Sequence, residues 1–177
     1  MASDIPTIPN TKVSGLGGAA TLNVGTTSGT VCAGDDNRIK GFNIINYSTA
    51  FSPADATTYY LGSVGTMTTT TNGLSNNARR KYINVTGTIT SAQIYIINGT
   101  VDATTETSTL YIRINDATDY LISNSIQFSA TSSGKVYNIT GLNIPITAGD
   151  YEVSKLATAI WATNPANTHM EIVYEIR

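Results

Sequence analysis

The chain has 177 residues, carries a formal net charge of −2 and contains 12% charged residues, about half of the share usual in soluble proteins. This length suits one compact domain with a short extension, and the nearly neutral charge gives no electrostatic basis for binding nucleic acid. Thr, Ser, Asn and Gly take the place of the charged residues, a composition that favours β-structure and argues against disorder.

The chain contains a single cysteine, Cys32, which excludes an intrachain disulfide and a cysteine-based zinc site. Its N-terminal region holds no apolar run typical of a signal peptide. The sequence also contains no stretch of about 18 apolar residues, which is the length needed to span a membrane. We therefore expect a protein that is made in a cytoplasm, does not insert into a membrane, and leaves the cell by a route other than secretion.

Residues 1–40 are predicted to form an extended segment rather than a folded domain. Pro6 and Pro9 fix an extended path near the start of the chain. The Gly- and Thr-rich stretch that follows offers too little apolar surface to offset the cost of ordering it in isolation. Scattered aliphatic residues such as Leu22 and Val24 suit a backbone that packs against copies of itself. We expect a fibre neck here, and for residues 1–14 the alternative is a disordered tail.

From Phe42 onward, apolar and polar residues alternate in short runs separated by Gly, Asn, Asp and Ser. This period of two predicts half-buried antiparallel strands, and no window of about a dozen residues keeps helical spacing. The predicted strands lie near residues 42–51, 59–63, 81–89, 92–97, 107–115, 120–128, 136–144, 151–161 and 170–176. The side chains predicted to face the core are Ile83, Val85, Leu110, Ile112 and Ile114.

So many short strands predict an all-β head at 41–177, built as an antiparallel β-sandwich of the jelly-roll type. An immunoglobulin-like sandwich is the alternative, because a sequence does not order its strands. Pro145 lacks a backbone donor, so we expect it at a sheet edge or at the end of a strand. The Ala148-Gly149-Asp150 stretch and the D-A-T-D stretch from Asp116 to Asp119 are predicted turns, and we expect no calcium at the latter.

Two parts of the chain resemble bacteriophage fibre proteins. A-S-D-I-P-T-I-P-N-T-K-V-S-G and L-G-G-A-A-T-L-N-V-G-T-T-S-G-T-V-C-A-G-D-D-N-R-I, which cover residues 2–39, are similar to the connecting segments of phage tail and virion fibres. T-L-Y-I-R-I-N-D, I-T-A-G-D-Y-E-V and W-A-T-N-P-A-N-T, within residues 107–168, resemble fibre heads and related trimeric jelly rolls. The resemblance implies an elongated homotrimer in a virion, and it leaves the receptor open.

Two non-enzymatic functions are consistent with these features. One is an adhesion fibre whose head binds a glycan on the host cell surface. The other is a structural head-fibre or decoration protein, anchored to other virion proteins through residues 1–40. We expect no enzyme and no cofactor, because His169 is the sole histidine, the carboxylates are scattered, and no hydrolase, metalloprotease or P-loop motif is present.

The candidate receptor-binding residues lie in and beside the longest irregular stretch, residues 62–77. Thr69 and Asn72 carry polar groups able to bind glycan hydroxyls, although this loop could equally pack on a neighbouring subunit. The chain's only basic run, Arg79, Arg80 and Lys81, follows it. These three residues are candidates for contacting phosphate or uronate groups on a polysaccharide. The alternatives are a solvated strand entry or a salt bridge to another virion protein.

Trp161 is the last candidate, because it ends a predicted strand and precedes the turn signal Asn164-Pro165. One interpretation makes its indole a platform on which a sugar stacks. The alternative places the indole in the core or at a subunit interface.

Overall fold

The structure is a computed structural model that describes residues 24–25, 31–32, 43–61, 80–99, 106–129 and 134–177. The chain divides into two compact units, Met1–Gly41 and Phe42–Arg177. In the first unit, β1 (Val24–Gly25) and β2 (Val31–Cys32) pair in parallel. The fibre role of residues 1–40 stays a prediction.

The described part of the second unit is built from strands. Among the described residues, no helix is long and apolar enough to cross a membrane. Its strands are β3 (Asn43–Phe51), β4 (Thr58–Leu61), β5 (Lys81–Tyr82), β6 (Gly87–Ile97), β7 (Ser108–Ile114), β8 (Thr118–Ile126), β9 (Lys135–Ile146), β10 (Tyr151–Ala157) and β11 (Thr168–Ile176).

These strands form two antiparallel sheets with jelly-roll order. One sheet runs β3-β11-β6-β9, and the other runs β4-β10-β7-β8. The short β5 pairs with the first two residues of β10, and β4 pairs with the residues that follow. Apart from β5, the first strand of the head pairs with the last (β3–β11), and the pairs β4–β10, β6–β9 and β7–β8 nest inside it. This is a single antiparallel ribbon rolled into two sheets, so the predicted jelly roll is confirmed.

The inward faces of the two sheets meet in one hydrophobic core. β7 and β11 alternate strictly between buried and half-buried residues, as the period of two predicts. Ile83, Leu110, Ile112 and Ile114 are buried, which confirms their assignment to the core, and Val85 packs half-buried against it. The largest fully buried side chains are Tyr174, Phe128, Leu61, Ile89, Ile94, Ile96, Leu110, Ile112, Ile126, Leu156 and Met170.

One polar contact crosses this core. The hydroxyl oxygens of Ser154 and Tyr174 lie 2.8 Å apart and are buried between the sheets. Burial raises the pKa of Tyr174 far above its usual value, so the phenol stays protonated and remains able to donate. The pair thus satisfies two buried hydroxyls that would otherwise be costly.

Several predicted strand bounds differ from the structure, and the strand predicted at 151–161 ends at Ala157. The predicted strand 81–89 is interrupted, because β5 belongs to one sheet and β6 to the other, and the residues between them carry the chain across. Ile83 is held at this crossing by backbone hydrogen bonds with Gly149 and Asp150, each 2.8 Å long. The predicted gap between residues 89 and 92 is absent, because β6 continues through Thr90, which forms a β-bulge relative to β11.

Pro145 lies near the end of β9, opposite Thr88, and β9 forms one edge of its sheet. The missing N–H therefore costs the ladder little, and the predicted edge position is confirmed.

Replacing Ile112 with alanine should lower the free energy of unfolding by about 2–5 kcal/mol. Ile112 is 0% exposed and sits in the middle of its sheet, opposite Ser154 on one side and Tyr120 on the other. Chemical denaturation measures the change. Leu121→Ala is the matched control, because that side chain on neighbouring β8 is 50% exposed and its truncation should cost much less. Equal costs would mean that the inward face is misassigned.

Candidate functional site

The outward face of the β4-β10-β7-β8 sheet carries tyrosines and charged side chains. On β10, Glu152, Ser154 and Leu156 point into the core and are fully buried, which turns Tyr151 and Lys155 outward. The strand register then sets Tyr82 of β5 directly opposite Tyr151. Lys155 lies between Tyr60 of β4 and Tyr111 of β7.

Arg80 forms the centre of a cluster at one end of this face, which we call the Arg80 cluster and define as Arg80, Tyr82, Asp116 and Tyr151. The Arg80 guanidinium carbon lies 4.3 Å from the centroid of the Tyr151 ring, and the guanidinium is ion-paired with Asp116. Tyr151 donates its hydroxyl hydrogen to the same carboxylate oxygen, Oδ2, at 3.1 Å. The cation therefore rests on an aromatic face while its partner carboxylate is held from two sides.

Asp116 reaches this position through a tight turn. Asn115 and Asp116 have φ angles of 53° and 55°, and Ala117 donates its backbone N–H to the Ile114 carbonyl at 3.0 Å. Two successive left-handed residues make a type I′ turn, whose twist matches that of the flanking strands. Arg113 Nη2 donates to the Asp116 carbonyl at 2.8 Å and fixes the turn further. The predicted turn is confirmed, although it lies two residues earlier, at 114–117, and Thr118 and Asp119 already belong to β8.

The charge states within the cluster follow from these contacts. The hydrogen bond from Arg80 to Asp116 raises the pKa of Arg80, so its positive charge is retained. Desolvation, together with the hydrogen bond to Asp116, raises the pKa of Tyr151, so its phenol stays a donor.

Tyr82 supplies the exposed surface of the cluster. Its side chain is 66% exposed, and its ring centroid lies 5.6 Å from that of Tyr151 at an interplanar angle of 57°. An exposed ring next to a carboxylate and a guanidinium is suited to a sugar, because the C–H face of a sugar packs on the ring while its hydroxyls bind the charged groups. The cluster therefore combines an exposed aromatic face with a charged, hydrogen-bonding edge.

A second set of charged groups continues along the same face. Lys155 and Arg113 both approach Asp119, with Arg113 Nε 3.7 Å from its Oδ1. Lys155 Nζ lies 5.1 Å from the Tyr111 ring centroid, and Arg113 Nη1 donates to Tyr60 Oη at 3.4 Å. The negative charge of Asp119 thus offsets part of the positive charge of Lys155 and Arg113 on the described part of this face.

The candidate residues predicted from sequence fall into different places. Arg80 lies in the cluster, but in an intrachain ion pair that the sequence analysis did not foresee. Lys81 is half-buried and lies opposite Glu152 in the register. Thr69, Asn72 and Arg79 lie outside the described residues, so their role stays a prediction.

Trp161 is a core residue in the structure, and it offers no exposed face for stacking. Its side chain is 4% exposed, and its ring meets Phe128 edge-on with centroids 5.5 Å apart. Its backbone N–H donates to Asp55 Oδ1 at 3.0 Å, which fixes the chain after β10. The platform interpretation is therefore corrected in favour of the core.

Sequence reasoning missed Tyr82, Asp116 and Tyr151 as members of the site. The alternation around Ile83 does turn Tyr82 away from the core, so one signal was present. Nothing local indicates that Asp116 meets Arg80, which is 36 residues away in the chain. In the part of the chain that the structure describes, no group of three or more His, Cys, Asp or Glu residues is arranged to hold a metal ion.

Comparison with known proteins adds little to this geometry. No family model matches the chain, and no curated protein matches it. Among solved structures it is similar to the native structure of a family 35 carbohydrate binding module from Clostridium thermocellum. The identity is 12% and the TM-score 0.30, over 73% of this chain and 90% of that chain. A likeness this distant carries no argument about function.

Proposed function

We propose that this protein is a non-enzymatic virion fibre protein of a bacteriophage, whose jelly-roll head binds carbohydrate on the host cell surface. The observation that carries the proposal is the exposed ring of Tyr82 beside Tyr151 and the Arg80–Asp116 ion pair. The resemblance of residues 2–39 to fibre segments supports the virion role and a location in the assembled particle.

Three groups in the Arg80 cluster have distinct parts in the proposed binding. Tyr82 packs against the C–H face of a sugar ring. The Asp116 carboxylate accepts hydrogen bonds from sugar hydroxyls, and Arg80 donates to them. Because Arg80 is already paired with Asp116, the cluster favours hydroxyl groups over a free anion, which changes the ligand class expected from the basic run alone.

The proposed binding does not include cleavage. Glycoside hydrolysis in most families uses two carboxyl groups that face each other across the scissile bond. Asp116 and Asp119 are instead engaged by Arg80 and Lys155, on one open face of a sheet. The cluster thus holds a saccharide without supplying the paired groups that hydrolysis needs.

We expect a homotrimer in solution, because the sequence of residues 1–40 combines scattered aliphatic residues with too little apolar surface to fold in isolation, and because it resembles trimeric fibre segments. Light scattering on the purified chain should give three times the 18.7 kDa of one chain. A mass of one chain would contradict the trimer. In the virion, residues 1–40 would attach the trimer to other virion proteins.

Replacing Tyr82 with alanine should weaken binding to host cells by about fivefold per site, which corresponds to about 1 kcal/mol for a lost aromatic contact. The melting temperature should stay unchanged, because the side chain is 66% exposed. Tyr82→Phe keeps the ring and should retain binding. Val136→Ala, which truncates a 52% exposed side chain on the other sheet, is the control.

Unchanged binding by Tyr82→Ala would remove the Arg80 cluster from the proposal. The structural alternative, a head-fibre or decoration protein anchored through residues 1–40, would then be favoured.

A further inference from the structure

The outer face of the other sheet, β3-β11-β6-β9, contains a depression of about 320 Å³. It lies beside an irregularity in the ladder between β6 and β9. Ser91 pairs with Thr140 and Ile89 pairs with Ile144, so Thr90 stands opposite three residues, 141–143. β11 also shifts register at this point, between Glu175 and the next residue. Bulges of this kind re-aim side chains and recur next to binding sites.

The register places polar side chains from three adjacent strands around the depression. Thr140, Ser91 and Glu175 form one row across β9, β6 and β11. Asn138, Gln93 and Val173 form the next row, two residues along each strand. With strands about 4.8 Å apart and about 3.3 Å per residue, this grid spans about 10 Å by about 7 Å. That area fits one sugar ring with its hydroxyls.

Internal hydrogen bonds fix the polar groups of the grid before any ligand arrives. Gln93 Nε2 donates to Asn138 Oδ1 at 2.8 Å. Whichever of these two amides is the donor, the pair retains one free carbonyl oxygen and one free NH₂ group. Both side chains are exposed, so these groups are open to a ligand. The site thus presents an acceptor and a donor in a fixed arrangement.

Glu175 is held in the same way at the other end of the grid. Its Oε2 accepts a hydrogen bond from Ser91 Oγ at 2.7 Å, and its Oε1 accepts from Arg177 Nη2 at 3.0 Å. These contacts lower the pKa of Glu175, so the carboxylate stays ionised. Among the described residues that line the depression, only Glu175 carries a charge. The ion pair with Arg177 offsets this charge, so the depression favours an uncharged, hydroxyl-rich ligand over an ionic one.

We infer that this depression is a second carbohydrate site, formed by Ser91, Gln93, Asn138, Thr140 and Glu175, that binds an uncharged sugar residue. Sugar hydroxyls both donate and accept, which matches a set of one carboxylate, two amides and two hydroxyls. Val173 supplies an apolar contact for the ring. The ligand class follows from these groups alone, while a host glycan as its source rests on the proposed function.

The test is saturation-transfer NMR and titration of the full chain with methyl glycosides of glucose, galactose, mannose and N-acetylglucosamine, and with glucuronate as the charged counterpart. At least one neutral glycoside should bind with a dissociation constant on the order of 1 mM, as a few ordinary hydrogen bonds allow. Glucuronate should bind no more tightly than the glucoside, because Arg177, the cation beside the depression, is already ion-paired with Glu175.

Variants separate this site from the Arg80 cluster. Gln93→Ala combined with Asn138→Ala should weaken the neutral glycoside by about tenfold or more, because two fixed hydrogen-bonding groups are lost. Tyr82→Ala should leave this binding in place. Asn124→Ala, an exposed amide on the opposite sheet, is the control and should have no effect.

Three results would overturn the second site. The first is that no neutral glycoside binds at concentrations far above the expected dissociation constant. The second is that binding is lost in Tyr82→Ala and kept in the double variant. In the third, the double variant changes the oligomeric state, which would make this face a subunit interface. The second result leaves the proposed function intact. Conversely, glycoside binding lost only in the double variant supports the second site even if virions do not use the protein for adhesion.

Discussion

Trp161→Ala should lower the free energy of unfolding by about 3–5 kcal/mol, the range for removing a large aromatic side chain from a core. The indole is 4% exposed, and it packs edge-on against Phe128, which is itself 0% exposed. Truncation leaves a cavity, because the close-packed side chains around it, Phe128 among them, relax only in part. Chemical denaturation, followed by circular dichroism, measures the change.

The neighbouring residue supplies a matched control. Ile160 is 74% exposed, so Ile160→Ala should change stability by less than about 0.5 kcal/mol. If Trp161→Ala costs no more than this control and weakens cell binding, Trp161 is a binding platform and its placement in the core is wrong.

Clustering the protein should raise its apparent affinity for host cells by about 10²–10⁴ relative to the free protein, since linked sites add effective concentration without new contacts. Each Arg80 cluster is an open surface with one strongly exposed ring, so a single contact is expected to be weak. Beads that carry many copies should retain cells under dilutions at which the free protein dissociates.

The same chain is used free in solution and attached to the beads. Beads that carry Tyr82→Ala should lose most of the gain, because avidity multiplies the loss at each site. An equal affinity of free and clustered protein would contradict recognition through weak repeated sites.

The strand content of the head was predictable because one face of each sheet is buried. β7 and β11 alternate without interruption, and residues such as Ile112 and Leu110 are buried where the period of two places them. Pro145 indicated an edge because its missing donor is a local property. The jelly-roll order was an expectation from fold class, and the nested pairs β3–β11, β4–β10, β6–β9 and β7–β8 establish it.

The breaks and the site were not predictable, because they depend on distant partners. The crossing at Ile83 depends on backbone hydrogen bonds with Gly149 and Asp150, which lie more than sixty residues later in the chain. The bulge at Thr90 reflects the register of two neighbouring strands. From the sequence, Arg80 was a candidate for contacting phosphate or uronate groups. The fold instead pairs it with Asp116 and places it over the ring of Tyr151.

Virions that lack this protein provide the most direct test of the adhesion account. If the head mediates adhesion, these virions adsorb to host cells more slowly than complete virions. Adding the wild-type protein back then restores the rate, and Tyr82→Ala restores it less. Normal adsorption without the protein, together with clustered protein that does not bind host cells, would contradict the account and leave a structural virion accessory in its place.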